Sequence, residues 1–275
     1  MIKDIVVNLG LGAHDPAGTY AVSAAETFGA HLLGIAVAYE PVIPGTVMGG
    51  IPPEVIESQR EESNKKVRTA IARFEQLAKR TGISFETRTI SASISGAADQ
   101  IGRIGRRFDL VIVGQPQRSD SLPDDVVDEG VLFESGRPVV FVPFIQKGGM
   151  KLDRIMACWD GGRAAARAIA DAIPFFKNAK QVEIVIVSDK PGRNDELPGA
   201  DLGQHLARHG LKVDVKRITS PDIDVPSTIL SYAADSSADL IVMGGYGHSR
   251  LREFVLGGAT RGLLEAMTVP VLMSH

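Results

Sequence analysis

Asp109-Leu-Val-Ile-Val-Gly114 returns about 130 residues later as Asp239-Leu-Ile-Val-Met-Gly244. Each copy runs without a polar residue from a leading aspartate to a closing glycine. Uninterrupted apolar runs of this length suit strands buried on both faces of a parallel sheet; half-exposed strands alternate instead. The repetition extends outward from this pair. Arg137-Pro-Val-Val-Phe-Val142 is echoed by Val269-Pro-Val-Leu-Met273, and Lys3-Asp-Ile-Val-Val7 by Asp153-Arg-Ile-Met-Ala157. Two units of one design therefore follow each other. The first is longer by about twenty residues, in the Pro/Gly-rich stretch Pro41 to Pro53 and the long helical pattern after it.

Amphipathic stretches separate the apolar runs. In the first unit strands are expected at about 2–9, 31–39, 83–91, 109–114 and 138–143, and helices at about 16–30, 54–80, 94–107 and 124–135. In the second, strands are expected at about 153–159, 181–187, 212–218, 239–243 and 270–274, and helices at about 162–176, 200–209, 225–235 and 250–266. This βαβ alternation predicts an α/β fold: two tandem open five-stranded parallel sheets, helices on both faces, right-handed crossovers. Domain boundaries fall at 1–146 and 151–275, on either side of the glycine pair in Ile145-Gln-Lys-Gly-Gly-Met150.

Composition narrows the classes of function. The chain has 275 residues, 44% of them hydrophobic and 23% charged, which excludes global disorder. Thirty basic residues face 33 acidic ones for a net charge of −3, so a nucleic-acid partner is not expected. No apolar run approaches the ~20 residues that span a bilayer. The opening MIKDIVVNLGLGAHD reads as a strand rather than a signal peptide. A single cysteine, Cys158, excludes an internal disulfide and a cysteine metal cage. A cytoplasmic protein without membrane attachment is the expectation.

In open α/β sheets small molecules sit beyond the carboxyl ends of the strands, at the topological switch point. The fourth strand of the second unit runs there into Met243-Gly-Gly-Tyr-Gly-His-Ser249. Ten residues after Gly247 comes Gly257-Gly258-Ala259-Thr260, which opens a helix. Amides at a helix start bind phosphate, and Thr260 adds a hydroxyl. The pattern is neither a Walker A loop nor a dinucleotide GxGxxG.

The stretch from Ala238 to His275 resembles the C-terminal signature of the universal stress protein family, whose ATP-binding members carry G-x2-G-x9-G-[ST]. Gly244, Gly247 and Gly257 match that spacing; Gly258 stands where the family prefers Ser or Thr, and Thr260 keeps the second hydroxyl. Trp159-Asp160-Gly161-Gly162 resembles the family's first β-α turn. By that resemblance Asp160 meets the ribose or adenine region and the main chain near Val187 receives adenine. The implied fold is the tandem, adenine nucleotide alpha hydrolase-like one. The implied ligand is ATP with Mg²⁺, in the second domain only. The implied site is Trp159, Asp160, Gly161, Val187, Met243, Gly244, Gly247, His248, Gly257, Gly258, Ala259 and Thr260. Two readings of Trp159 stand, packing under the helices or flanking adenine. His248 and Arg250 either reach phosphates or stay in an exposed loop.

The first unit lacks these features. Gly10 takes the place of Asp160, Gln117 that of the second glycine and Val127 that of the third, and Pro116 removes an amide. One nucleotide site per chain is expected, with Asn8 and Gln117 as residues able to line a different pocket in the first unit. His205 and His209 read as a solvated helix face, because Leu206 stands where a zinc protease needs glutamate and no third ligand is evident. Asp124, Asp125, Asp128 and Glu129 read as a helix start and exposed face. Cys158 reads as a small core residue.

Three functions are compatible with this sequence. The first is a stress-response module that binds an adenine nucleotide and is read by an unknown protein partner. The second is a slow ATPase or phosphotransferase, although neither a charge clamp nor a base is identifiable near Gly244–Thr260. The third is a scaffold with no ligand, which Gly258 favours. The family often pairs domains through their fifth strands. The two units are therefore expected to form a pseudo-dimer, with a homodimer of the tandem chain as a further possibility. The apolar connection from Pro41 to Pro53 is expected to pack on the other unit or on a second chain.

Overall fold

A computed structural model describes residues 1–40, 52–116, 124–188, 199–219, 224–245 and 258–275, with backbone alone for 124–126, 128–129 and 258–259 and side-chain surroundings undescribed at 95. The chain divides into two compact units, Met1–Arg137 with Lys147–Gly149, and Pro138–Gln146 with Met150–His275.

The first unit carries β1 (Asp4–Asn8), α1 (Pro16–Phe28), β2 (His31–Tyr39), α2 (Pro53–Thr81), β3 (Phe85–Ala92), α3 (Ile94–Gly105), β4 (Leu110–Gly114) and α4 (Asp124–Ser135). Its strands lie parallel in the order β3-β2-β1-β4. The second carries β5 (Val139–Val142), β6 (Arg154–Cys158), α5 (Arg163–Phe176), β7 (Gln181–Ser188), α6 (Ala200–Arg208), β8 (Val213–Thr219), α7 (Val225–Asp235), β9 (Leu240–Gly244), α8 (Gly258–Ala266) and β10 (Val271–Ser274). Its strand order is β5-β10-β9-β6-β7-β8.

The repeated apolar runs became the centre of each sheet. Leu110 to Val113 and Leu240 to Met243 are buried throughout, as continuous apolarity requires. The edge strand β8 is largely exposed, and its residues alternate or are charged. The leading aspartate of the repeat has the same task in both units. Asp109 Oδ2 accepts from the Lys3 amide at 2.7 Å, and Asp239 Oδ2 accepts from the Arg154 amide at 2.9 Å. Each carboxylate thereby pins the start of the fourth strand of its repeat to that of the first.

One strand differs from the all-parallel expectation. β5 runs antiparallel to β10, with Phe141 opposite Val271, Val140 opposite Leu272 and Val139 opposite Met273. Both are four-residue strands, buried at every position. Strands this apolar cannot be left as open edges in water, and pairing them covers both. No helix among the described residues is long and apolar enough to cross a membrane.

Candidate functional site

The second unit changes direction between β6 and β9. From β6 the chain builds outward through β7 and β8, then returns to place β9 on the other side of β6. Such a reversal leaves a crevice beyond the carboxyl ends of the two central strands. A cleft of about 180 Å³ lies in that place.

Cys158, Trp159 and Asp160, at the end of β6, form one side of the cleft. Val185 and Val187 of β7, and Met243 and Gly244 of β9, come from the flanking strands. Ala165 of α5, Val225 and Ile229 of α7, and Thr260 of α8 complete the walls. Most of these side chains are apolar or aromatic; Asp160 is the one carboxylate. Six predicted site residues thus meet in one cavity: Trp159, Asp160, Val187, Met243, Gly244 and Thr260.

Local structure explains their placement. The Trp159 amide donates to the Val185 carbonyl at 2.9 Å, extending the β6–β7 ladder one residue past the strand. Trp159 is half-buried and lines the cleft. Asp160 is exposed, and its Oδ1 accepts from the Gly162 amide at 2.7 Å. Gly161 between them sits at φ +77°, in the left-handed region where glycine carries no steric cost. This turn starts α5 without a side-chain cap at Gly162 and without an acidic residue in the first helical turn. Gly244 has a packing reason of its own. A Cβ there would stand 2.4 Å from the Ala165 nitrogen and 2.6 Å from the Ala164 carbonyl carbon. The end of β9 and the first turn of α5 are in backbone contact, and only glycine permits it.

Thr260 is 9% exposed and lies in the first turn of α8, which begins at Gly258 and passes through Ala259. Gly247, His248, Arg250 and Gly257 lie outside the described residues, as do 41–51 and Gln117. Cys158 is half-buried rather than a core residue, and it lines the cleft. Burial pushes its thiol up to about 12, and the nearby Asp160 charge pushes the same way. The neutral thiol is therefore an apolar wall group, not a nucleophile. His205 on α6 and His209 at its C-terminal cap are exposed, with ring centroids 4.8 Å apart.

Sequence reasoning missed the α7 wall. Val225 and Ile229 are four residues apart on one helical face, a spacing that reads as ordinary core packing. It also missed what occupies the equivalent place in the first unit. There the switch point falls between β1 and β4, and the loop after β1 is held by Arg73 of α2. Its guanidinium donates to the carbonyls of Gly12 at 2.6 Å, Ala13 at 3.0 Å and Gly10 at 2.7 Å. Arg73 also pairs with the buried Asp15 at 3.5 Å. Asp15 caps α1 by accepting from the Gly18 amide, and burial holds its carboxyl above the ordinary range. Asn8 and Gln115, at the ends of β1 and β4, are both buried.

Residues 151–275, the second of the two repeats, match the model of the universal stress protein family. Universal stress protein Slr1230 of a Synechocystis species is 24% identical over 171 residues, an alignment covering 60% of this chain and 57% of that protein. Among solved structures, a universal stress protein from Archaeoglobus fulgidus superposes with a TM-score of 0.72 at 18% identity, covering 98% of this chain and 94% of that one. A putative universal stress protein from Pseudomonas aeruginosa gives 0.56 at 16% identity, covering 98% and 92%. At these identities the superpositions establish the shared fold over the length of the chain.

Proposed function

We propose that the second unit binds ATP, or a closely related adenine nucleotide, as a regulatory or sensor module of a stress response. One observation carries the reading: Trp159, Asp160, Val187, Met243, Gly244 and Thr260 converge on one cleft at the switch point. The apolar walls and Trp159 suit a purine ring. Asp160 is placed to accept from ribose hydroxyls or the adenine amino group. The start of α8 suits phosphates, which would carry Mg²⁺ with them. With one carboxylate among the described cleft residues, we propose binding rather than fast hydrolysis.

We further propose one site per chain. The Arg73 hydrogen bonds give the first unit an internally satisfied loop where the second has a cleft. A pseudo-dimer of the two tandem repeats, 1–146 and 151–275, belongs to the same proposal. A cytoplasmic location and a protein partner that reads the bound state belong to the same proposal. Calorimetric titration of ATP with Mg²⁺ into nucleotide-stripped protein tests it, with Asp160→Ala and Val225→Trp alongside. Binding near one per chain, weakened in both variants, is expected. Undetectable binding at millimolar ATP would refute it and leave a scaffold. Stoichiometry near two would refute the single site.

A further inference from the structure

This inference rests on the nucleotide reading above and concerns how that site tolerates a polyphosphate. The cleft presents a difficulty of charge. Among its described wall residues Asp160 is the one carboxylate, a poor neighbour for phosphate, and Gly258 supplies no hydroxyl at the start of α8. A chain of phosphates beside a carboxylate needs compensating positive charge.

Among the described residues, two arginines stand close in the chain to cleft residues. Arg261 follows Thr260, but its Nε is paired with Glu265 at 3.0 Å, one turn along α8. Arg163 lies between Asp160 and Ala165, which both line the cleft, and is the first residue of α5. It is exposed and has no ion pair or hydrogen bond among the described residues. Its neighbours Ala164 and Ala165 are in backbone contact with Gly244 at the end of β9. A side chain on the first turn of a helix leans toward the helix N-terminus. In this fold that direction leads beyond the carboxyl edge of the sheet, where the cleft opens. The first turn of α5 itself carries no acid; Asp160 stands three residues before Arg163.

We propose that Arg163 is a phosphate-recognising residue of this site. It makes the site selective for adenine nucleotides with phosphate chains over the nucleoside, and offsets both Asp160 and the hydroxyl missing at Gly258. A planar guanidinium suits this role because two of its N–H groups can meet two phosphate oxygens at once.

The test compares ATP with adenosine, by calorimetry, on the full chain and on Arg163→Gln, Arg163→Lys and Arg261→Gln. For Arg163→Gln the Kd for ATP is expected to rise about tenfold, the scale of one charge-assisted hydrogen bond, with adenosine affinity unchanged. Arg163→Lys should recover part of the loss, and Arg261→Gln should behave as the unaltered chain. ATP affinity unchanged in Arg163→Gln overturns the proposal and leaves the nucleotide reading standing. Equal losses for ATP and adenosine also overturn it, because they would report a disturbed cleft rather than a lost phosphate contact. Failure of the unaltered chain to bind ATP overturns the nucleotide reading, and the role of Arg163 with it.

Discussion

Replacing Arg73 with methionine removes a charge from the first unit while keeping most of the side chain's bulk. Three carbonyls, of Gly10, Gly12 and Ala13, lose their guanidinium donor, and Asp15 loses its counter-charge. Breaking a buried ion pair from one side costs about 3–5 kcal/mol. Here the Asp15 side chain is 4% exposed but Arg73 is 32% exposed, so water already screens part of the pair. The expected loss at neutral pH is therefore smaller, about 2–3 kcal/mol. Local hydrogen exchange over residues 9–22 should read this as roughly 30- to 150-fold lower protection.

The pH dependence adds a sign. Burial raises the Asp15 carboxyl in the folded chain, and Arg73 pulls it back down. Without Arg73 the folded value climbs further. A raised carboxyl is a stabilising proton site below its unfolded value, about 4, and that stability is lost as pH rises through the folded value. The variant should match the unaltered chain most closely in acid and fall furthest behind above its own raised Asp15 value. Arg73→Met with Asp15→Asn should recover part of the loss, since no buried charge is then stranded. Equal protection at pH 7, or a deficit the same in acid and at neutrality, would refute the reasoning.

Gly244→Ala should lower stability by about 1–3 kcal/mol and weaken ATP binding, because the added methyl meets backbone atoms of α5 that cannot rotate away; urea unfolding followed by Trp159 fluorescence measures the first effect and calorimetry the second. With its thiol pushed up to about 12, Cys158 should alkylate at pH 8 at least about 100-fold more slowly than free cysteine, and mass spectrometry of iodoacetamide-treated native protein checks this.

Much of this molecule can be read from its sequence because the decisive features are local. An apolar run is buried where it lies, so the two aspartate-to-glycine repeats mark the central strands without knowledge of their partners. Strand ends in an α/β sheet share one edge, which is why Met243 and Gly244 could be placed at a ligand crevice before any geometry was known; Trp159 and Val187 joined them through the family resemblance. What escaped depends on distant pairing. Nothing in Val139 to Val142 specifies that its partner runs antiparallel, because an apolar strand is equally apolar in either direction. Arg73 lies 63 residues from Gly10 on a long, polar helix, where one more arginine looks like surface. Val225 and Ile229 show the opposite ambiguity: their spacing fits a core face and a ligand wall equally well.

The position of β5 has a consequence for where this protein can be divided. The sequence repeat suggests a severable second half beginning near residue 151. One of the two strands that border β10, however, is made of residues 139–142, upstream of that cut. A fragment starting at 151 would expose Val271 to Ser274 as an unpaired apolar edge, ready to take up a strand from any neighbouring chain. The gene's repeat and the protein's smallest self-contained piece therefore have different boundaries, and the second half folds intact only if it brings the tail of the first.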